Sequence, residues 1–239
     1  LVIENDDRIF NIEEVLDIGL KTNIPVIFDN LHNEINPPAE KKSQAYWIER
    51  CSATWKKQDG NQKIHYSQQA EGKKPGSHSN TITINEFMNF YERLTRSDID
   101  IMLEVKDKNL SCIKCINSTS KISNNNTLEK EWNKYKFAVM ERSYFTYEEI
   151  NELLTDSRKL SAKHFYNLIE SGLKSKGDYI THINAAFHVW GHIKDQATEK
   201  EKDVFLEQIK NYQNDKSEIK TVKKYLKKLA EKYSKDSVL

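Results

Sequence analysis

Short apolar runs alternate with amphipathic stretches through the first half of the chain, and the two repeat differently. LVIE at 1–4, IPVIFD at 24–29, KIHYS at 63–67 and DIMLEV at 100–105 are compact and rich in Ile, Val or Phe. That is how strands buried on both faces of a parallel sheet read. Between them, NIEEVLDIGLK puts Ile12, Val15, Leu16 and Gly19 on one side, with Asn11 able to cap. YWIERCSATW spaces Trp47, Cys51 and Trp55 by four, and TINEFMNFYERL sets Thr83 and Glu86 at capping-box spacing. Four strand–helix repeats in about 115 residues predict an α/β unit, either half of a (β/α)8 barrel or a small doubly wound sheet.

The pattern changes after NSTSKISNNNT at 117–127, a Ser/Thr/Asn-rich run with hardly an apolar residue that reads as a linker. Beyond it the periodicity is helical throughout. Trp132, Tyr135 and Val139 recur at three and four, as do Phe165, Leu168, Ile169 and Leu173. The closing KTVKKYLKKLAEKY turns Val222, Tyr225, Leu226 and Leu229 inward beneath a lysine face that is solvated or touches phosphate. The expected organisation is an α/β domain over 1–118, a linker over 119–127 and an all-α domain over 128–239.

Charge supports the seam. Residues 1–118 carry 15 basic against 18 acidic residues (15 − 18 = −3), and residues 119–239 carry 22 against 18 (22 − 18 = +4). The whole chain nearly balances at 37 Lys+Arg and 36 Asp+Glu, which is not the composition of a simple nucleic-acid binder. No 18-residue apolar stretch or charged-then-apolar leader occurs, so the expectation is a soluble, cytoplasmic protein. Three cysteines, Cys51, Cys112 and Cys115, are too few and odd in number for a disulfide framework, and CIKC without a second such pair reads as core thiols. His188 and His192 stand four apart without the Glu of a metalloprotease helix and read as part of a packed helix. LVIEND at the start, an apolar run with no initiator Met, looks cut.

The candidate chemistry lies at the strand ends. Glu4 follows LVI, Asp29 follows PVIF with His32 three residues on, His65 follows KI, and Glu104 follows DIML; His78 lies in the loop after the third run. The carboxyl ends of parallel barrel strands meet at one mouth. Carboxylates gathered there need cations to offset them, and mixed carboxylate and imidazole ligands suit Mn²⁺, Zn²⁺ or Fe more than Mg²⁺. Lys63, two before His65, faces the same side of its strand.

ENDD at 4–7, FDNLH at 28–32, KIHYS at 63–67, HS at 78–79 and DIMLEVKDK at 100–108 resemble, in order and spacing, the C-terminal half of a UV-damage endonuclease. Asn30, Leu31, Asn33 and Asn109 depart from that family's usual residues around two of these motifs. The resemblance implies a partial TIM barrel and a metal-dependent repair endonuclease that nicks damaged double-stranded DNA 5′ to a photolesion. It implies Glu4, Asp29, His32, His65, His78 and Glu104 as ligands for two or three divalent ions, Mn²⁺ ahead of Zn²⁺ or Mg²⁺. Lys63, altered to an anionic form, and Glu104 are the implied catalytic residues. Lys106 and Lys108, just after Glu104, either contact the DNA backbone or are simply solvated. Lacking the first half of the barrel, this chain alone is expected to nick poorly. WNKYKFAVM and INAAFHVWGHIKD resemble the YbgA-like uncharacterised helical domain, for which an accessory role is the expectation. The alternative is a non-catalytic module that binds partners or DNA on a degenerate half-barrel.

Overall fold

The structure, a computed structural model, describes residues 1–120, 125–156 and 160–234. The chain divides into two compact units, Leu1–Thr119 and Ser120–Leu239. In the first, β1 (Ile3–Glu4), α1 (Ile12–Thr22), β2 (Val26–Asp29), α2 (Asn30–Ile35), α3 (Gln44–Ser52), β3 (Lys63–Tyr66), α4 (Ile84–Tyr91), β4 (Asp100–Leu103) and α5 (Asn109–Thr119) follow one another. The strands form one sheet in the order β1-β2-β3-β4, and every neighbouring pair is parallel.

The apolar runs become these strands because their backbones find partners on the sheet and their side chains find the helices. All four residues of β2 are buried, and Phe28 and Ile64 pack with Ile12, Val15 and Leu16 of α1 and Trp47, Ile48 and Cys51 of α3. At the two sheet edges the expectation of burial on both faces fails. β1 is only partly buried, and β4 alternates exposed with half-buried residues, Met102 being 52% exposed. An edge strand has a neighbour on one side only, so less of it is covered.

α1 forms as its stripe predicts. The Asn11 side chain accepts from the Glu13 and Glu14 N–H groups while Glu14 returns a carboxylate to the Asn11 N–H, and Asn23 ends the helix in the left-handed region at φ 57. Gly19 lets the helix lie against the sheet: a methyl there would overlap Val26 Cγ2 and stand 2.9 Å from the Ile24 carbonyl. Gly19→Ala is therefore expected to cost about 1–3 kcal/mol, read as a lowered urea midpoint; an unchanged midpoint would contradict the close approach.

Two local expectations are corrected. Thr83 caps α4 without any side-chain hydrogen bond, because Gln68 takes its backbone instead: Gln68 Oε1 accepts the Thr83 N–H at 2.7 Å and Nε2 donates to the Thr83 carbonyl at 3.0 Å. Trp55 lies beyond the end of α3, and its Nε1 donates to the Val26 carbonyl at 2.9 Å.

In the second unit α6 (Asn125–Arg142), α7 (Tyr144–Thr155), α8 (Ala162–Lys174), α9 (Tyr179–Gly191), α10 (Glu199–Gln213) and α11 (Ile219–Lys232) follow, with no strand among the described residues. Ser143, Ser161, Asp178 and Thr198 accept hydrogen bonds as N-caps of α7 to α10. Trp190 stacks on Phe205 at 4.7 Å over Ile209, Val222, Leu226 and Leu229. The polar run at 117–127 is not loop at its ends, since α5 holds it through Thr119 and α6 resumes at Asn125; residues 121–124 lie outside the described residues. Asn and Thr penalise a helix by under about 0.7 kcal/mol each, so neighbouring turns override them. Cys115 is buried as a core thiol, whereas Cys112 is exposed.

Candidate metal centre

Parallel pairing brings the strand ends together, and side chains extend the ladders past them. The registers run Glu4↔Ile27, Asp29↔His65 and His65↔Met102. Beyond β1, buried Asn5 binds the Asp29 backbone in both directions, Nδ2 to the carbonyl at 3.0 Å and Oδ1 from the N–H at 2.9 Å. Beyond β2, buried Asn30 does the same to Ser67 at 2.9 and 2.7 Å. The Glu104 N–H donates to the Tyr66 carbonyl at 2.9 Å, which carries the β3–β4 ladder to the residue after β4. Asp29 and His65 thus leave strands held on both sides, and Glu4 and Glu104 leave the edges held against them.

One ligand atom each from Asp29, His65 and Glu104 lies within 4.8 Å of the other two. His65 Nδ1 is 2.8 Å from Glu4 Oε2 and 3.4 Å from Glu104 Oε1, and His78 Nε2 is 3.6 Å from Glu104 Oε2. His32 Nδ1 is 3.8 Å from Asp29 Oδ1, whose carboxylate accepts the His32 N–H at 2.8 Å as the cap of α2. The six side chains read as ligands from sequence therefore form one chain of contacts. His78 joins it through an isolated antiparallel bridge with Gln69 in the loop between β3 and α4.

Charge is uneven inside the cluster. The approach of His65 draws the Glu4 carboxyl below the ordinary carboxylate range, and burial opposes it. The same contact lifts the His65 imidazole above its usual value, again against burial. Burial pushes Asp29 up, with the His32 N–H working the other way.

The donor set fits a divalent cation. Asp29 Oδ2 and His65 Nδ1 are buried without a hydrogen-bond partner among the described residues, although Glu4 Oε2 makes an ionic approach to His65 Nδ1 at 2.8 Å. Buried polar atoms left so are costly, and a cation held between them would offset that cost. His32 adds a second sign. Its Nδ1 is 2.9 Å from the Asn5 carbonyl, which only accepts, so Nδ1 carries a proton and the lone pair of the neutral ring falls on Nε2. A ligand histidine held through its other nitrogen is the usual outer-shell arrangement around a metal.

Lys63 is not brought in. Its ammonium sits 3.3 Å from Asp100 Oδ2, its direct cross-strand partner, and 5.7 Å from the Trp55 ring centre. It shares a face with His65, but two residues along a strand are about 6.6 Å, and the acid opposite is nearer. Lys106 and Lys108 are exposed just after Glu104, Lys108 at φ 48. The residues missed from sequence are Asn5 and Asn30, and a signal existed: an Asn directly follows a strand-end acid in both Glu4-Asn5 and Asp29-Asn30. If a divalent cation binds here, Asn5→Ala is expected to weaken its binding, titrated as Mn²⁺, by about 10–100-fold while leaving helix content unchanged. Calorimetric titration checks it, and an unaltered affinity would remove Asn5 from the site's support.

Among the described residues no helix is long and apolar enough to cross a membrane. Residues 1–136 match the family described as UV-endonuclease UvdE, and residues 136–239 the family described as protein of unknown function (DUF1722). A UV DNA damage endonuclease of Clostridium perfringens is 38% identical over 242 residues, covering 97% of this chain and 55% of that protein. One of Halalkalibacterium halodurans is 32% identical over 114 residues, 46% of this chain and 35% of its own length. The chain thus spans 55% of one curated relative and 35% of the other. A solved structure described as "Crystal Structure of SacUVDE" aligns at 43% identity and TM-score 0.44 over 48% of this chain and 38% of that one.

Proposed function

Because this chain belongs to the UV-endonuclease UvdE family, we propose that its first unit is part of a (β/α)8 barrel that hydrolyses a phosphodiester 5′ to UV photolesions in duplex DNA. The observation that carries the reading is the convergence of Glu4, Asp29, His32, His65, His78 and Glu104, with Asp29 Oδ2 and His65 Nδ1 left open among them. The strand order supports the barrel. Parallel strands in sequential order are what a barrel requires, whereas a doubly wound sheet reverses its order at a switch point.

The six side chains would hold two or three divalent ions, Mn²⁺ foremost. Bound there, such ions lower the pKa of a coordinated water and polarise the phosphate. The protein's own part is orientation and proton handling. Asn5 fixes Asp29 by its backbone and His32 by its tautomer. Glu104 turns one oxygen toward His65 and the other toward His78 while staying partly open to solvent, so it is assigned the proton-accepting role. Lys106 and Lys108 are assigned to backbone phosphates, which position DNA without reading it. A part for Lys63 requires its release from Asp100; carbamylation of Nζ by CO₂, with loss of two protons from the ammonium, would replace the positive charge that holds it there by a negative one.

The test is nicking of UV-irradiated supercoiled plasmid in Mn²⁺, on protein carrying a complete barrel. The wild type should convert irradiated but not unirradiated plasmid, and Glu104→Gln should fall by at least about 100-fold. Equal conversion of both plasmids, or an unaffected Glu104→Gln, overturns the proposal.

A further inference from the structure

The second unit carries an open cavity of about 470 Å³ walled by α6, α9 and α11. Its floor is apolar, made by Phe137, Ala185, Ala186, Val189, Ile219 and Leu226. One rim is cationic, with Lys220, Lys223, Lys224 and Lys227 along α11. At 1.5 Å per residue, lysines four apart stand about 6 Å from each other on one stripe.

These cations are not equally engaged. Lys223 Nζ is 2.7 Å from Glu141 Oε2, a pair that also neutralises the carboxylate on the cavity wall. Lys227 is 3.9 Å from Glu231, both exposed, a contact too weak to hold it. Lys220 and Lys224 are exposed and have no carboxylate partner among the described residues. α11 as a whole carries six lysines and one glutamate.

An apolar slot beside a row of open ammonium groups suits a ligand that is flat and weakly polar on one side and repeatedly anionic on the other. Single-stranded nucleic acid has that form, with an unstacked base for the slot and successive phosphates for the lysines. A fatty acid offers one anionic group to the row, and an acidic peptide offers charge without an apolar plate to fill the slot.

We propose that the groove between α6, α9 and α11 binds single-stranded DNA, taking one unstacked base into the cavity and setting phosphates against Lys220 and Lys224. The choice of DNA among polyanions rests on the endonuclease reading of the first unit.

The test is fluorescence anisotropy of the whole chain in EDTA, with a labelled oligodeoxythymidylate of about 12 nucleotides and an abasic strand of equal length. No metal and no cleavage enter the assay, so its failure leaves the nicking proposal standing, and failure to nick leaves this one standing. The thymidylate strand should bind more tightly than the abasic strand. Lys220→Gln with Lys224→Gln should weaken binding about tenfold and reduce the salt slope by about 1.4, at about 0.7 per phosphate contact on single strands. Ala138→Trp, at an exposed position of the cavity wall, should weaken the thymidylate strand and spare the abasic one. Phe137→Leu should do the same if Ala138→Trp does not fold. Equal affinity for the two strands, indifference to the lysine pair, or displacement of the strand by palmitate or polyglutamate at lower concentrations than by unlabelled thymidylate overturns the proposal.

Discussion

On the proposed metal reading, Mn²⁺ is expected to stabilise this protein and His65→Ala to abolish that stabilisation. His65 stands between the two acids at the cluster's edges, 2.8 Å from Glu4 and 3.4 Å from Glu104, and it shares a 4.8 Å group with Asp29 and Glu104. Removing it takes away a ligand-type nitrogen and the imidazole that bridges those acids, leaving like charges facing one another. An ion that binds only the folded state adds about 2.7 kcal/mol at a hundredfold excess over its Kd. For units of about 120 residues, at about 3–6 °C per kcal/mol, that is a rise of about 8–16 °C in melting temperature. The wild type should show the rise and lose it in EDTA; His65→Ala should move by less than about 1 °C in either condition. Comparing both proteins melted in metal and in EDTA separates this effect from any intrinsic cost of the substitution. A full metal-induced rise in His65→Ala would mean that the ion sits elsewhere.

Phe28→Ala is expected to be the most damaging single truncation in the first unit. Phe28 has no exposed surface, lies on β2 with a strand paired on each side, and packs into the cluster that joins α1 and α3 to the sheet. Truncating a buried Phe costs about 3–5 kcal/mol through lost burial and the void left behind. Set against a typical domain stability of about 5–15 kcal/mol, that is a large share of the total. The residue also precedes Asp29, so a shifted β2 would move a ligand as well as a core. Urea denaturation should show the lowered midpoint, and Mn²⁺ affinity should fall with it. A loss below about 1 kcal/mol would mean that β2 is not the packed centre described here.

Much of the site was legible because it depends on local pattern. An apolar run that stops at an acid or a histidine marks both a strand and what stands at its end, which is how Glu4, Asp29, His65 and Glu104 were readable. The stripe Ile12, Val15, Leu16 and Gly19 with its Asn11 cap is likewise written within one stretch of chain, and α1 forms as it predicts.

Other features depended on which distant backbone lies beside a residue. Thr83 and Glu86 had capping-box spacing, yet Gln68, fifteen residues away, took the Thr83 backbone. Lys63 was placed by its face, but its partner was chosen by the register that sets Asp100 opposite it. Asn5, inside ENDD, and Asn30, a departure from the family's usual residue, had no structural role assigned until the sheet laid Asp29 and Ser67 alongside them, at separations of 24 and 37 residues. The sequence alone therefore determined where strands, helices and ligand-type side chains fall, because periodicity and burial act over a few neighbouring residues. The tertiary structure alone decided strand order, the partner of Lys63 and the amides that brace the cluster. A polar side chain forms whichever hydrogen bond burial leaves open to it, and that depends on parts of the chain far off in sequence.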